Sequence, residues 1–453
     1  MEVLIIIVFI TGYCGIAFEH AMGINKTATA LITGVLCWTL LIISQPSDYL
    51  LNSEAWAHFL RINELMEPAA GVTSTNENYA LYSLFEYLAE ISQILFFLLG
   101  AMTIVELLDS HQSFRYVTDH IRTRKPLLLL WVISWSTFFL SAILDNLTTS
   151  IVMISLARKL VHDRETRLLF AGMVVIAANA GGAWTPIGDI TTTMLWIGGQ
   201  ITTLNIIGSL ILPSMACLFA PLCLLSWRFK GALGMPDGER PLQSSGAIKG
   251  ALHMLLAGVG VLVSVPVFKT LTGLPPFTGI LLGLGLLWVY SDLLHADLLE
   301  HERRHLTVAG ALSRIDVPSV LFFLGILMAV GALSSLQLLF RFAGILDATF
   351  GDLRIIVTLI GILSAIIDNV PLVAASMGMY SLDAYPPDSF LWEFLAYCAG
   401  TGGSMLIIGS AAGVAVMGME KIDFIWYLKR ISVLALSGYV AGALLFLVLN
   451  PVT

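Results

Sequence analysis

The sequence predicts an all-α polytopic membrane protein of about 10 full spans, an inverted repeat with two re-entrant hairpins and two broken helices. Three observations carry this expectation. Of the 453 residues 57% are hydrophobic and only 12% charged, too little charge for a water-exposed globular surface, and the mean hydropathy is +0.87. Ser141 opens SAILDNLTTS, and Ser364 opens nearly the same words, SAIIDNVPLV. Each copy is followed by a glycine-broken helical run, ANAGGAWTPIGD from Ala178 and AGTGGSMLIIGS from Ala399.

Apolar runs of spanning length fall near residues 2–18, 24–43, 88–107, 206–227, 250–268, 276–294, 317–339 and 431–450. The first has no basic n-region, only Glu2, and no clear small-residue cleavage site, so it reads as a retained span rather than a signal peptide. Ser44 to Tyr79 is an acidic loop, expected outside and in part as an amphipathic surface helix. Pro126 to Ala157 is too long for one ordinary helix and too short for two spans and a turn, and Ile355 to Tyr380 poses the same problem; each has Asp-Asn near its middle.

Charged flanks decide the topology of these two stretches, because a span separates unlike loops whereas a hairpin returns to the side it left. Arg115, Arg122, Arg124 and Lys125 precede the first, and Arg158, Lys159, Arg164 and Arg167 follow it, so both flanks read as cytoplasmic. The second is preceded only by Arg341 and Arg354 and followed by Asp383, Asp388 and Glu393, so both flanks read as external. Two hairpins entering from opposite faces, with arms of about 13 to 16 residues, would reach about 20 to 24 Å and end inside the membrane. Glycines and Pro186 in the runs that follow suit helices unwound at membrane depth.

A third echo, LFFLLGAM from Leu95 and LFFLGILM from Leu321, precedes the hairpins. The chain therefore reads as a duplication. Residues 1–236 form one half, with hairpin 126–157 and broken helix 167–198. Residues 237–249 form a cytoplasmic connector, and residues 250–453 form the second, inverted half, with hairpin 355–380 and broken helix 390–418.

A carboxylate in mid-membrane is costly unless solvated or paired, so Asp145 and Asp368 need a reason. Hairpin tips and broken helices meeting at the midplane supply a polar cavity. Its candidate members are Asp145, Asn146, Thr148, Thr149 and Ser150, then Asn179, Asp189 and Thr191, and from the second half Ser364, Asp368, Asn369, Thr401 and Ser404. The set is almost all oxygen, which suits a hard cation. No Lys or Arg occurs between Leu168 and Trp227 or between Ile355 and Glu420, so an anion would face carboxylates with only helix dipoles to hold it. Bland alternatives stand beside these readings: Asp145, Asp368 and Asp189 as helix caps, Asn179 as a turn former, and the hydroxyls bonded back to helix carbonyls. Glu106 reads as a satisfied interfacial charge or part of a proton path, and His111 as an inert edge residue or a pH sensor.

The five cysteines lie in apolar runs without metal-ligand spacing and read as buried small side chains. The net charge of -8 is spread over loops, and no basic, aromatic-interleaved patch suggests nucleic acid.

Five segments together resemble the NhaD-type sodium/proton antiporters of the ion transporter superfamily: LFFLLGAMTIVELLDSH from Leu95, ILDNLTTSIVM from Ile143, NAGGAWTPIGDITTTMLW from Asn179, SAIIDNVPLVAA from Ser364 and GTGGSMLIIGSAAGVAVMG from Gly400. The resemblance runs over nearly the whole chain. It implies exchange of cytoplasmic Na+, and of Li+, for external protons by a homodimer in a bacterial inner membrane, with no cofactor and with the lipid bilayer as surroundings. Carried over by motif, the polar site is Asp145, Asn146, Asn179, Asp189, Thr191, Ser364, Asp368, Asn369 and Ser404, with Na+ at Asp145, Asn146, Asp368 and Asn369; Glu106 and His111 match a segment of less certain role. The superfamily's carboxylate importers resemble the same plan with uncharged Ser-Asn-Thr tips, where this chain has Asp in both hairpins. A Na+-coupled carboxylate importer or arsenite-type anion exporter is the alternative within transport. An intramembrane protease using the two aspartates is the alternative from another class, and it leaves the duplicated hairpins without a purpose.

Overall fold

The computed structural model describes residues 2–17, 19–66, 76–114, 125–161, 163–228, 250–297, 305–366 and 368–451. Among these the regular structure is entirely helical. In chain order the helices are α1 (Glu2–Ala17), α2 (Glu19–Met22), α3 (Lys26–Ile43), α4 (Asp48–Leu51), α5 (Glu54–Met66), α6 (Asn76–Ser110), α7 (Pro126–Leu144) and α8 (Asn146–Leu160). Then come α9 (Arg164–Gly182), α10 (Ile190–Ile197), α11 (Thr203–Arg228), α12 (Ala251–Thr272), α13 (Pro276–Leu294), α14 (Val308–Leu312) and α15 (Val317–Ser335). The rest are α16 (Leu338–Phe350), α17 (Leu353–Leu363), α18 (Asn369–Met379), α19 (Phe390–Gly402), α20 (Ala411–Glu420), α21 (Phe424–Arg430) and α22 (Ser432–Leu449).

Eight of these are long and apolar enough to cross a bilayer: α3, α6, α7, α11, α12, α13, α15 and α22. α1 and three other apolar helices, α17, α18 and α20, are shorter. Two expectations change. The run 88–107 is the inner part of the 35-residue α6, about 52 Å long, and α4, α5 and the first residues of α6 fall within the stretch 44–79 expected as an acidic loop. α7, with 19 residues, exceeds the arm expected for the first hairpin, whereas α17 and α18 have 11 each. Arg115, Arg122, Arg124 and the connector 237–249 lie outside the described residues.

The chain divides into two compact units. One comprises Met1–Leu95, Asp316–Ile356 and Val370–Tyr385. In it α3 packs on α1 and on α15, and Gly34 and Gly325 let two backbones approach so closely that a Cβ on Gly34 would stand 2.6 Å from the Gly325 oxygen. Trp38 donates to the Met328 carbonyl at 2.8 Å across the same contact.

The other unit comprises Phe96–Ile315, Val357–Asn369 and Pro386–Thr453. At its centre α9 packs on α19. Both are buried all round, α9 from Leu168 to Gly182 and α19 from Leu391 to Gly402, as helices without a polar face must be. α7 and α8 pack on α9, and α20 packs on both α8 and α9.

Within this unit the same contacts occur twice. Ser141 Oγ donates to the Ala178 carbonyl at 2.6 Å, and Ser364 Oγ to the Ala399 carbonyl at 3.0 Å. A methyl group on Gly181 would collide with the Phe138 carbonyl, and one on Gly402 with the Gly361 carbonyl. Phe138 and Gly361 each stand three residues before those serines. Side-chain-free backbone at these crossings is what brings each DN segment against its glycine-broken helix.

Candidate functional site

The first DN segment turns on one residue. α7 ends and α8 starts at Asp145, whose backbone lies at φ 101 and ψ 158, a region essentially restricted to glycine that strains other residues by about 1–3 kcal/mol. The surroundings hold it there. Asp145 Oδ1 accepts from the Thr148 N–H and Oδ2 from the Thr148 hydroxyl, both at 2.8 Å, while Thr185 from the broken helix donates to the adjacent Ala142 carbonyl at 2.6 Å. Asp145 is thus an N-cap, and it is half-buried at a corner that a glycine would occupy without strain.

Asn146 carries the site inward. Its amide donates to Asp189 Oδ2 at 2.6 Å and to Asn179 Oδ1 at 3.2 Å, and all three residues are buried. Asp189 caps α10, its Oδ1 accepting from the Thr191 N–H and hydroxyl at 2.9 Å each. Asn179 Nδ2 donates to Ser410 Oγ at 3.0 Å, and Ser410 in turn caps α20 by accepting from the Gly413 N–H at 3.2 Å. A single polar chain therefore joins the first hairpin corner to both helix breaks.

The charges of Asp145 and Asp368 both act on Asp189, although the three carboxylates do not come together as one metal-binding group among the described residues. Beside them Thr149 Oγ1 and Ser150 Oγ are buried with no hydrogen-bond partner, in the first turn of α8 directly after Asp145 and Asn146. Buried hydroxyls are normally satisfied, and these two stand three and four residues after Asn146, on the helix face that follows it. The segments that build the cluster, 126–157, 168–227 and 355–420, contain no Lys or Arg.

Other expected members take different places. Thr148 serves Asp145 as its cap partner, and Thr191 serves Asp189. Ser364 bonds the Ala399 carbonyl, and Ser404 donates to the Thr401 carbonyl at 2.5 Å while its own carbonyl accepts from Tyr427; both tie backbone together. Asn369 is buried at the start of α18.

The family model described as CitMHS, citrate transporter, matches residues 6–395. The chain belongs to this family. Among relatives of this CitMHS chain, sodium/proton antiporter 1 of Arabidopsis thaliana is 49% identical over 449 residues, covering 99% of this chain and 73% of its own. The Na(+)/H(+) antiporter NhaD of Vibrio cholerae is 29% identical over 476 residues, 98% of this chain and 91% of its own. The resemblance to NhaD-type antiporters read from the motifs is borne out by such relatives. Both the family and these relatives are transporters, not enzymes. The crystal structure of the Alcanivorax borkumensis YdaH transporter matches with a TM-score of 0.54 over 87% of this chain and 98% of that one, at 12% identity, a likeness of fold alone.

Ser410 is a site member that reading motif by motif passes over; it stands seven residues after Gly403 as Asp189 stands seven after Gly182, so aligning the two broken helices finds it. Glu106 and His111 are not part of the cluster. Glu106 pairs with Arg314 at 2.6 Å, and His111 is buried with its ring against His295.

Proposed function

We propose that this protein exports Na+, and also Li+, in exchange for protons, and that both ions compete for the oxygen cluster at Asp145, Asn146, Asn179, Asp189 and Asp368. The observation that carries the proposal is the Asn146 amide bridging Asp189 and Asn179 beside two orphaned hydroxyls, in segments without a single Lys or Arg. A hard cation takes such a shell of carboxylate, amide and hydroxyl oxygens. A dehydrated carboxylate without a counter-ion holds a proton, and an arriving Na+ displaces it. Competition is the coupling.

Alternating access follows in this proposal from two re-entrant hairpins, inverted relative to one another, carried past the remaining helices; the recurrence of the Ser141 and Ser364 contacts supports it. Names of relatives support the ion pair exchanged. The bacterial inner membrane enters this proposal on the likeness to a bacterial relative, NhaD of Vibrio cholerae, and a plant relative stands beside it. A homodimer completes the proposal; a monomer mass by light scattering in detergent and in nanodiscs would remove it.

Everted vesicles from a host lacking its own antiporters provide the test. With a ΔpH-sensitive dye, Na+ or Li+ should collapse the gradient in the wild type and not in D145N, with K+ inactive in both. A second reading draws on the family model's description as a citrate transporter, and Na+-stimulated uptake of labelled citrate, with no collapse of ΔpH by Na+ alone, would favour it.

A further inference from the structure

His111 and His295 form the one other cluster of buried metal-ligating groups whose hydrogen bonding is left incomplete among the described residues. His111 follows the last residue of α6 and His295 is the C-cap of α13; they are 0% and 3% exposed. Each ring points Nδ1 at the carbonyl four residues back, His111 to Leu107 at 2.7 Å and His295 to Ser291 at 2.9 Å. A carbonyl only accepts, so Nδ1 carries the hydrogen in both rings, and in the neutral ring Nε2 keeps its lone pair. Both Nε2 atoms are buried without a hydrogen-bond partner. The helix-end role accounts for the two Nδ1 atoms and leaves the two Nε2 atoms unexplained, at about 1–3 kcal/mol for each unsatisfied group.

The ring centroids are 5.0 Å apart with the planes at 49°. An imidazole nitrogen bound at about 2.0–2.1 Å sets its centroid about 3.2 Å from the metal, and two such rings at a tetrahedral angle lie about 5 Å apart. Two helix C-termini end at the pair, and their carbonyl dipoles favour a cation there. The nearby Arg314 guanidinium, bonded to Ser110, has its charge met by Glu106 at 2.6 Å. Burial holds the His111 imidazole below its ordinary pKa, against its bond to the Leu107 carbonyl, and His295 acts in the direction of the burial.

We propose that His111 and His295 form a two-imidazole site for a borderline divalent cation of the Zn2+ class, separate from the all-oxygen Na+ cluster. Imidazole suits Zn2+, Co2+ and Ni2+ and not Na+, so the two sites do not share an ion. No third His, Cys, Asp or Glu joins them into a larger group among the described residues, so the pair supplies two ligands and the remaining coordination positions fall to other groups.

The test uses full-length protein with its purification tag removed and its metals stripped by chelator. Zn2+ is titrated against a chromophoric indicator, and Co2+ binding is followed by its visible spectrum. H111N and H295N place an amide donor where Nδ1 was, so the bond to the helix carbonyl is kept while the Nε2 lone pair is deleted. The expected result is one high-occupancy Zn2+ per wild-type chain and at least tenfold weaker binding in either variant, with both variants eluting as monodisperse species. Absence of that Zn2+ in the wild type, or its retention in both variants, overturns the site. So does a pH profile that changes in both variants while the wild type binds no metal, which would assign the pair a shared proton. Because the readout is metal binding, it stands or falls independently of whether the chain exchanges Na+.

Discussion

Replacing Asp145 separates what this residue does for the fold from what it does for transport. Its backbone sits in a region that strains a non-glycine residue by about 1–3 kcal/mol. Asp145→Gly removes that strain. Against it stand the freedom glycine gains in the unfolded chain, about 0.5–1 kcal/mol, and the loss of a cap, a few tenths when glycine replaces it. The sum runs from no change to about 2 kcal/mol of added stability, an apparent Tm raised by at most a few degrees. Asp145→Asn keeps an oxygen for the Thr148 N–H and keeps the strain, so its Tm should match the wild type. Both variants should lose exchange. Thermal unfolding of the three proteins in one detergent, beside vesicle assays, gives the comparison. A glycine variant that melts well below the asparagine variant would refute the strain, and exchange retained in both would refute the role.

Asn179→Ala strips a buried bridge between Asn146 and Ser410; it should cost about 1–3 kcal/mol and raise the Na+ concentration for half-maximal exchange tenfold or more, read by Na+ titration in vesicles. Gly402→Ala drives a methyl into the Gly361 carbonyl, a backbone atom that cannot swing aside, so the loss should reach about 3 kcal/mol and monodisperse protein should fall sharply by fluorescence size exclusion; an undiminished yield would contradict the crossing. Glu420, 2% exposed at its side chain, holds Arg158 Nε at 2.6 Å and Arg167 Nε at 2.9 Å. Glu420→Gln should lower stability by about 1–3 kcal/mol, since the 45% exposure of Arg158 screens part of the interaction, and denaturant or thermal melts at low and high salt would show it.

Where the signal is local, the sequence is legible. A carboxylate inside an apolar run has few explanations, so Asp145 and Asp368 stand out from composition alone, and glycines clustered beside Pro186 announce a broken helix. The breaks at 183–189 and 403–410 fall inside those runs. Lengths are less legible, because both arms of the first hairpin are apolar and nothing in the pattern says that the corner is the single residue Asp145. α6 includes residues 76–87 ahead of the apolar run, since its acidic first turn is compatible with helix as well as loop. Partners remote in sequence leave no local trace: Asn179 finds Ser410 across 231 positions, and only superposing the two halves points to it. The pairing of Glu106 with Arg314 likewise depends on tertiary proximity.

Proton release on Na+ binding tests the central claim most directly. Purified protein in a weakly buffered solution with a pH indicator is mixed with Na+, Li+ or K+, and the D145N protein is treated in parallel. Competition at the oxygen cluster predicts proton release by Na+ and Li+ in the wild type, none by K+, and none by Na+ in D145N. Na+ binding that releases no proton from the wild type, shown by calorimetry in two buffers of different ionisation enthalpy, would contradict it.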